Sequence, residues 1–559
     1  MNGSAFYSSR PWLRHYDYWV PHHLSYPRRP LHEILDTAAV DVPDRPATSF
    51  FGATLTYAEL KNRSDRLAAA FDAMGLVKGD RVGIMLPNCP QYLIAAFAVL
   101  RHGAIVVNIN PTYTARELKS VAVDSAMRFL VTLDALAPLA LAIRNDSSVE
   151  QIIITSLAEY SAPAGATGKV AGTLRLSDLL DDVPEARYVR VAIDADDLAV
   201  LQYTGGTTGA PKAAMLTHAN IFANVVQTEA FMYRSRERGV ARYLMVIPYF
   251  HIYGFTVGMM KGTWVGALQV LIPKYDVEQV LAALRDHRPT YFPAVPTIFV
   301  SLLGHPRVKE FGLEKVRTFN SGAAPCPVEV IDQFERTFGR TLNEGYGLSE
   351  ASPVTHTTAQ LAARKIGSIG LPLPDTDMKI VDLESGLREL PFGEAGELCI
   401  CGPQVMKGYW NRPEESAYVL RTHADGRTWL HTGDIAVVDE DGYTSIVQRK
   451  KDMMIVDGFN VYPSEVESVL YLHPAVRLAA AIGEPHEYHG EVVRACVVLK
   501  PGAAATEADL IAHCKTALAP YKIPKHIDIR ETLPMSAVGK ILYRVLRDEL
   551  AAQPENVKP

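Results

Sequence analysis

From about residue 31 the chain alternates short apolar runs with segments of helical periodicity, and this alternation constrains the fold most strongly. Residues 57–74 have the apolar spacing of an amphipathic helix, while RVGIM (81–85) and AIVV (104–107) have the length of buried strands. In chains of this kind the helices cover the faces of a mostly parallel sheet. We therefore expect an α/β fold built in layers.

The pattern changes twice further along the chain. From about residue 365, short strands with Gly/Pro turns predict a small β-rich, β-barrel-like subdomain. Beyond residue 451 a compact α+β piece is expected, with helices at 464–472 and 507–519 and strands at 478–482 and 495–499. A chain of 559 residues is too long for one core, so several domains are expected, with residues 1–30 wrapping the surface.

Composition excludes some classes of function. The net charge of −6 gives no electrostatic basis for nucleic-acid binding. The longest apolar stretch, 92–107, is broken by Arg101 and His102, so no membrane span is expected, and the N-terminus lacks a signal-peptide core. These features predict a cytoplasmic protein, while peripheral membrane association and a homodimer are left open.

Six cysteines are scattered along the chain. Cys399 and Cys401 form a C-x-C without a second pair at zinc-like spacing, so buried free thiols are expected.

The sharpest local feature is the segment YTGGTTGAPK (203–212), which follows an apolar run. Glycines let backbone N–H groups approach an anion, hydroxyls add donors, and a lysine adds positive charge. The residues concerned are Thr204, Gly205, Gly206, Thr207, Thr208, Gly209 and Lys212. Because Lys212 follows a proline and precedes an alanine, the segment does not fit the P-loop pattern. It predicts a phosphate-binding loop of another kind.

This segment resembles the signature of the adenylate-forming (AMP-binding) superfamily, and the resemblance extends from about residue 32 to 548. It implies a large N-terminal domain (1–448) that binds ATP and the acyl substrate, a hinge (449–451), and a small mobile domain (452–559) with a catalytic lysine. ATP, Mg²⁺ and coenzyme A are the implied small-molecule partners. Further motifs follow in the family's order.

The resemblance assigns roles in the N-terminal domain. PYFHIYG (248–254) would line the carboxylate end of the acyl pocket, with His251 at the carboxylate. NSGAAP (320–325) would lie beside adenine, and NEGYGLSE (343–350) would contact the rest of the nucleotide, with Thr207 and Glu350 holding Mg²⁺. The remaining residues implied for nucleotide or substrate are Tyr253, Phe255, Gly322, Ala323, Ala324, Glu344, Gly345, Tyr346, Gly347 and Ser349.

Other implied residues lie near and beyond the hinge. Asp434 in WLHTGD and Arg449 would bind ribose. Lys451 is either the hinge residue or an ordinary solvated charge, and the sequence does not separate the two. Gly458 and Phe459 would line the tunnel for the pantetheine arm of coenzyme A, and the catalytic lysine would be Lys540 in LPMSAVGK.

The segments CICGPQVMKGYW and KKDMMIVDGFNVYPSEVE look most like bacterial long-chain fatty acid–CoA ligases. This resemblance implies an AMP-forming acid–thiol ligase of fatty acid metabolism. An aryl (4-coumarate-type) or medium-chain ligase, and a non-catalytic nucleotide-binding protein, are the alternatives. Glycines at 254, 258, 262 and 266 could open an apolar groove for an acyl chain or allow close helix packing, and the sequence favours neither.

Overall fold

The computed structural model describes residues 3–182, 191–204, 212–233, 237–449, 452–457, 459–486, 488–536 and 539–552, without the side chains of 3–5 and 460. The strands are β1 Pro46–Phe50, β2 Ala53–Thr56, β3 Arg81–Met85, β4 Ile105–Asn108, β5 Phe129–Leu133, β6 Gln151–Thr155, β7 Leu174–Arg175, β8 Leu198–Thr204, β9 Lys212–Thr217, β10 Arg242–Met245, β11 Leu268–Leu271, β12 Tyr291–Ala294, β13 Thr318–Ser321, β14 Leu342–Gly347, β15 Val354–Thr357, β16 Leu371–Pro372, β17 Asp377–Val381, β18 Gly396–Cys401, β19 Leu420–Thr422, β20 Thr428–Val438, β21 Thr444–Arg449, β22 Met454–Val456, β23 Phe459–Val461, β24 Val476–His486, β25 Gly490–Leu499 and β26 His526–Ile529.

The α-helices are α1 Gly3–Ser9, α2 Glu33–Asp41, α3 Tyr57–Ala73, α4 Pro90–Arg101, α5 Ala115–Ser125, α6 Ala137–Ala142, α7 Leu176–Asp181, α8 His218–Phe231, α9 Lys261–Trp264, α10 Val277–His287, α11 Pro296–Leu303, α12 Val328–Phe338, α13 Pro413–Val419, α14 Pro463–Leu472, α15 Glu507–Lys515 and α16 Tyr543–Ala551. None of the described helices is long and apolar enough to span a bilayer. Local sequence sets several boundaries: Thr56 and Glu59, for example, form a reciprocal capping box that starts α3.

Two large sheets form the main body and confirm the predicted α/β layers. One has seven strands in the order β7-β6-β5-β3-β4-β8-β9, and the other has nine in the order β16-β15-β14-β13-β12-β10-β11-β1-β2. Within the second sheet, β11, β10, β12, β13 and β14 run parallel. The loops that leave their carboxyl ends therefore meet at one edge, which is where open parallel sheets bind ligands.

The predicted small β subdomain is confirmed as a sheet of β17, β18, β20, β19 and β21. It forms an open sheet and does not close into a barrel. The N-terminal segment packs on its surface as expected, because Arg10 donates two hydrogen bonds of 2.7 Å to Asp377 and Trp12 is buried.

Residues beyond 452 form a separate sheet of β22–β26, with buried clusters of their own around Val466 and Leu546. The predicted helix at 507–519 ends earlier, at Lys515, where 3-10-type hydrogen bonds of residues 516 and 517 tighten the last turn. An independent core is what a separately moving domain requires. The domain bounds stay predictions, since Lys450 and Lys451 lie outside the described residues.

Candidate active site

The loops predicted to bind nucleotide and carboxylate meet at the carboxyl edge of the nine-stranded sheet. Residues 322–324 follow β13, residues 345–350 end or follow β14, and the His251 segment follows β10. These strands are parallel, so their carboxyl ends point the same way. The fold therefore brings together motifs that lie about a hundred residues apart in sequence.

Glu350 lies in a 3-10 turn (Ser349–Ala351) after β14, and its carboxylate is held in place. The hydroxyl of Tyr409 donates to Glu350 Oε1 over 2.7 Å, and the backbone N–H of Met406 donates to the Glu350 carbonyl over 2.8 Å. Burial, and then the Glu350 charge, raise the pKa of Tyr409, so the phenol stays protonated as a donor. Sequence reasoning assigned no role to Tyr409, although it lies in the CICGPQVMKGYW segment.

The same tyrosine connects Glu350 to the phosphate-loop hairpin. Thr204 and Lys212 face each other where β8 and β9 end and begin, and the Thr204 hydroxyl donates to the Lys212 carbonyl over 3.2 Å. The Lys212 ammonium lies 5.7 Å from the centre of the Tyr409 ring and 3.9 Å from a Glu415 oxygen. The predicted loop residues Gly205, Gly206, Thr207, Thr208 and Gly209 lie outside the described residues, as do Lys451 and Gly458.

Asp434, Arg449 and Tyr346 form a second cluster. Asp434 and Arg449 are paired across β20 and β21, with Arg449 Nε 3.2 Å from Asp434 Oδ1, and the hydroxyl of Tyr346 donates to the other oxygen of Asp434. The positive charge of Arg449 also acts on Glu350, which links the two clusters electrostatically. Residues from two sheets thus surround one region.

The adenine-side loop packs closely on its neighbours. Gly345 lies against Asn320, and Gly347 lies so close to Pro353 that an added Cβ would meet the Pro353 carbonyl at 2.1 Å. Asn320 also donates to the Tyr253 hydroxyl over 3.1 Å, so it joins the adenine-side and carboxylate-side loops. Of the other predicted residues here, Gly322 is buried beside Tyr253. Ala323, at φ +68°, Ala324 and Ser349 are half-buried. Burial raises the pKa of Glu344 to about 7.

Buried polar side chains hold the His251 segment. Asn88 accepts from the backbone N–H of Tyr249 over 2.7 Å, Tyr92 donates to the Tyr249 carbonyl over 2.9 Å, and Gln202 donates to the Phe250 carbonyl over 3.2 Å. Sequence reasoning assigned no role to these three, because a single buried polar residue carries no motif. They fix the loop against the seven-stranded sheet.

His251 is neutral and lies beside the C-terminal domain. Its Nδ1 accepts from the backbone N–H of Tyr253 over 3.2 Å. Burial first, and then the positive charge of Lys540, lower the pKa of His251 to about 3. The ring therefore acts at pH 7 as an uncharged imidazole.

Lys540 reaches the site from a tight hairpin of the C-terminal domain. Gly539, at φ +72°, is packed against the start of α11, and an added Cβ would meet Thr297 Oγ1 at 2.7 Å and Val295 Cγ2 at 3.1 Å. Ser536 secures the turn, because its side-chain oxygen accepts from Lys540 N over 3.0 Å. Phe459, by contrast, is 56 % exposed and stacks on Tyr521 of its own domain. The structure thus brings Lys540 near His251, whereas Phe459 contacts its own domain.

The four glycines proposed for an acyl groove serve close packing instead. Residues Gly254–Met260 form a π-helix, which α9 continues. An added Cβ on Gly254 would lie 2.1 Å from the Pro248 carbonyl, and one on Gly258 would lie 2.1 Å from Met245 Cε. An added Cβ would lie 3.1 Å from the nearest atom at Gly262 and 3.0 Å from it at Gly266. Phe255 is fully buried. Of the two alternatives, the structure favours packing.

Known proteins resemble the chain along most of its length. The profile of the family described as AMP-binding enzyme matches residues 35–410, and that of the AMP-binding enzyme C-terminal domain matches residues 465–540. A long-chain-fatty-acid–CoA ligase of Bacillus subtilis is 44 % identical over 97 % of this chain and 98 % of its own. A feruloyl-CoA synthase of Amycolatopsis is 37 % identical over 90 % and 96 %.

Among solved structures, MatB from Rhodopseudomonas palustris is similar in two states, with 30 % identity and coverage of 94 % of this chain and 99 % of its own. The TM-score is 0.84 for the ATP-bound form and 0.74 for the apo form. Over the whole chain the structure is thus more similar to the ATP-bound form than to the apo form. Both family profiles match in order and the relatives align from end to end, so the chain belongs to the AMP-binding enzyme family.

Proposed function

We propose that this chain is an ATP-dependent fatty acid–CoA ligase. It converts a fatty acid and ATP to acyl-AMP and pyrophosphate, and then transfers the acyl group to coenzyme A with release of AMP. The observation that carries the proposal is that Glu350 and the Asp434–Arg449 pair lie at the same sheet edge as His251, on which the charge of Lys540 acts. The 44 % identity to a long-chain-fatty-acid–CoA ligase supports the choice of acid.

The nucleotide would lie across this edge. Asp434 accepts hydrogen bonds from the ribose hydroxyls, with Arg449 holding its carboxylate, and Tyr346 and residues 322–324 flank adenine. Thr204, Lys212 and the loop between them, with Ser349, bind the phosphates. This arrangement suits the chemistry of ATP. Cations and hydroxyls would face the phosphates, and the Asp434 carboxylate would accept from the neutral ribose hydroxyls.

Glu350 suits a magnesium ion. Its carboxylate is half-buried, one oxygen is fixed by Tyr409, and a hard oxygen ligand of this kind is what Mg²⁺ takes from proteins when ATP supplies the rest. Glu350, and Thr207 from the phosphate loop, would hold the ion, and when bound it would neutralise phosphate charge.

In the first step the substrate carboxylate attacks the α-phosphorus, a P–O bond forms, and pyrophosphate leaves. Negative charge gathers on the phosphate oxygens as this happens, so a nearby cation stabilises the transition state more than the ground state. We assign that role to Lys540, and its effect on the pKa of His251 supports the assignment. His251 and Tyr253 would flank the acyl carboxylate. Because His251 is neutral, it adds no positive charge beside the attacking oxygen.

In the second step the thiol of coenzyme A attacks the acyl carbon and AMP leaves. In this proposal the C-terminal domain rotates about a hinge at Lys451. Lys540 then leaves the site, and Gly458 and Phe459 guide the pantetheine arm. Rotation of a domain about a short junction is an ordinary way to gate two steps. A homodimer and peripheral membrane association stay predictions.

The test is formation of CoA thioesters from acids of eight to eighteen carbons, alongside ferulate and coumarate. We expect kcat/KM to be highest with a long-chain fatty acid. Because a feruloyl-CoA synthase is 37 % identical, an aryl preference is the second candidate. AMP formation with an aryl acid and none with any fatty acid would replace the first proposal by the second.

A further inference from the structure

The small sheet of β17–β21 contains a cluster of side chains that the ligase reaction does not use. Cys399, His423 and His431 are all buried, and one ligand atom from each lies within 4.8 Å of the others. The Nε2 atoms of the two histidines are 3.0 Å apart. A thiol and two imidazoles that meet inside a protein form a donor set typical of transition-metal sites.

The strand register brings the three residues together. Cys399 on β18 pairs directly with His431 on the antiparallel β20, and His423 follows β19, which pairs with β20 on its other side. Because the ligands come from two strands and from the residue after a third, their spacing in sequence matches no short metal motif. This is why the C-x-C of residues 399 and 401 indicated only free thiols.

A carboxylate lies where it would support a metal ligand. Glu397 Oε2 is 3.4 Å from His431 Nδ1, and the backbone N–H of Gly433 donates to the other Glu397 oxygen over 3.1 Å. The Glu397 carboxylate thus faces His431 Nδ1 without completing a hydrogen bond to it. Histidines that bind metals commonly have a carboxylate behind the ring.

A hydrogen bond between the two histidines leaves other ring nitrogens of the pair without partners. Within the described residues, Nδ1 of His423 and Nδ1 of His431 are buried and have no hydrogen-bond partner. Burying such groups costs free energy, so packing alone would favour apolar side chains here. The nearby Lys379 is paired with Glu389 at 3.0 Å, which reduces the positive charge that a cation would meet.

We propose that Cys399, His423 and His431 bind a Zn²⁺ ion, with Glu397 orienting His431. Binding would convert the Cys399 thiol to a thiolate and release its proton to solvent. Soft sulfur and imidazole ligands select zinc over the magnesium that suits Glu350. The ion would tie three strands together just before Asp434, which lies three residues beyond His431 on β20.

The test uses the full-length protein, prepared without a metal-affinity tag and stripped with a chelator. We expect it to take up about one equivalent of Zn²⁺ and to raise its unfolding temperature on doing so. With Co²⁺ it should give a thiolate-to-cobalt charge-transfer band and the d–d bands of a tetrahedral site. Cys399→Ser should abolish the charge-transfer band, and both this change and His423→Gln should weaken zinc binding about 100-fold or more.

Cys401→Ser is the matched control, because Cys401 is on the same strand and accepts from Arg427 over 3.2 Å. It should keep both the zinc affinity and the cobalt spectrum. The proposal is overturned if the wild type binds no more zinc than Cys399→Ser, or if the cobalt band is lost in Cys401→Ser and kept in Cys399→Ser. If a variant does not fold, the zinc content and cobalt spectrum of the wild type decide.

Discussion

Two loops of the C-terminal domain take part in the proposed reaction, and they differ in what they contact in this structure. The hairpin of Gly539 and Lys540 is packed on Val295 and Thr297, and the Lys540 charge reaches His251. Phe459 is exposed and contacts Tyr521 of its own domain. If both loops act at one site, as proposed, the two half-reactions need two orientations of this domain. We propose that the observed orientation is that of the first step.

The largest effect is expected from Lys540→Ala. Loss of one positioned donor to a developing phosphate charge costs about 2.7–4 kcal/mol, so acyl-AMP formation should fall about 10²–10³-fold. Thioester formation from supplied acyl-AMP should change little, because Lys540 has then left the site. Pyrophosphate release measures the first step and thioester yield from acyl-AMP measures the second. Equal loss in both would show that Lys540 does not act in the first step alone.

Gly539→Ala tests whether docking of the hairpin matters. The new Cβ would meet Thr297 Oγ1 at 2.7 Å, so acyl-AMP formation should fall about 10-fold, the order of effect that a small misplacement of a catalytic group produces. Gly502→Ala is the matched control: its φ is +76°, close to the +72° of Gly539, but its added Cβ has no neighbour within 4 Å.

Gly502→Ala should share the backbone strain of Gly539→Ala and keep wild-type adenylation. Thr297→Ala, which removes the clashing oxygen, should restore part of the loss when combined with Gly539→Ala. If both glycine variants lose the same activity, strain and not docking explains the result.

Phe459→Ala should give the opposite pattern to Lys540→Ala, with the loss in the second step. An exposed ring that acts only after rotation contributes nothing to acyl-AMP formation, whereas loss of an aromatic contact to the pantetheine arm should slow the thioester step about 10-fold. Separate single-turnover measurements of the two steps would show it. A fall in acyl-AMP formation would place Phe459 in the first step after all.

A smaller effect should appear in the titration of His251. The Lys540 charge helps to hold the pKa of His251 at about 3, so removing a positive neighbour should raise that pKa, since protonation becomes less costly. The midpoint in Lys540→Met, followed by NMR on histidine-labelled protein and assigned with His251→Gln, should move upward. An unchanged midpoint would mean that Lys540 does not lie beside His251 in solution.

The motifs with local sequence signals could be predicted, and the contacts between them could not. The helix at 57–74 and the strand at 81–85 follow from periodicity, and the family motifs indicated Glu350, Asp434 and Lys540. Nothing in the sequence showed that Tyr409 holds Glu350 or that Gly539 packs on Thr297, because these pairs join distant segments. The glycines at 254 and 258 show the same limit, since their spacing suits a groove and close packing equally.

The most direct test is a reversible lock of the C-terminal domain in the observed orientation. A Cβ on Gly539 would lie 3.9 Å from Thr297 Cβ, which is the separation that a disulfide needs. We predict that the Thr297→Cys, Gly539→Cys variant, once oxidised, forms acyl-AMP but no thioester, and that reduction restores the second step. If the oxidised and reduced enzymes make thioester equally well, the two steps do not require two orientations.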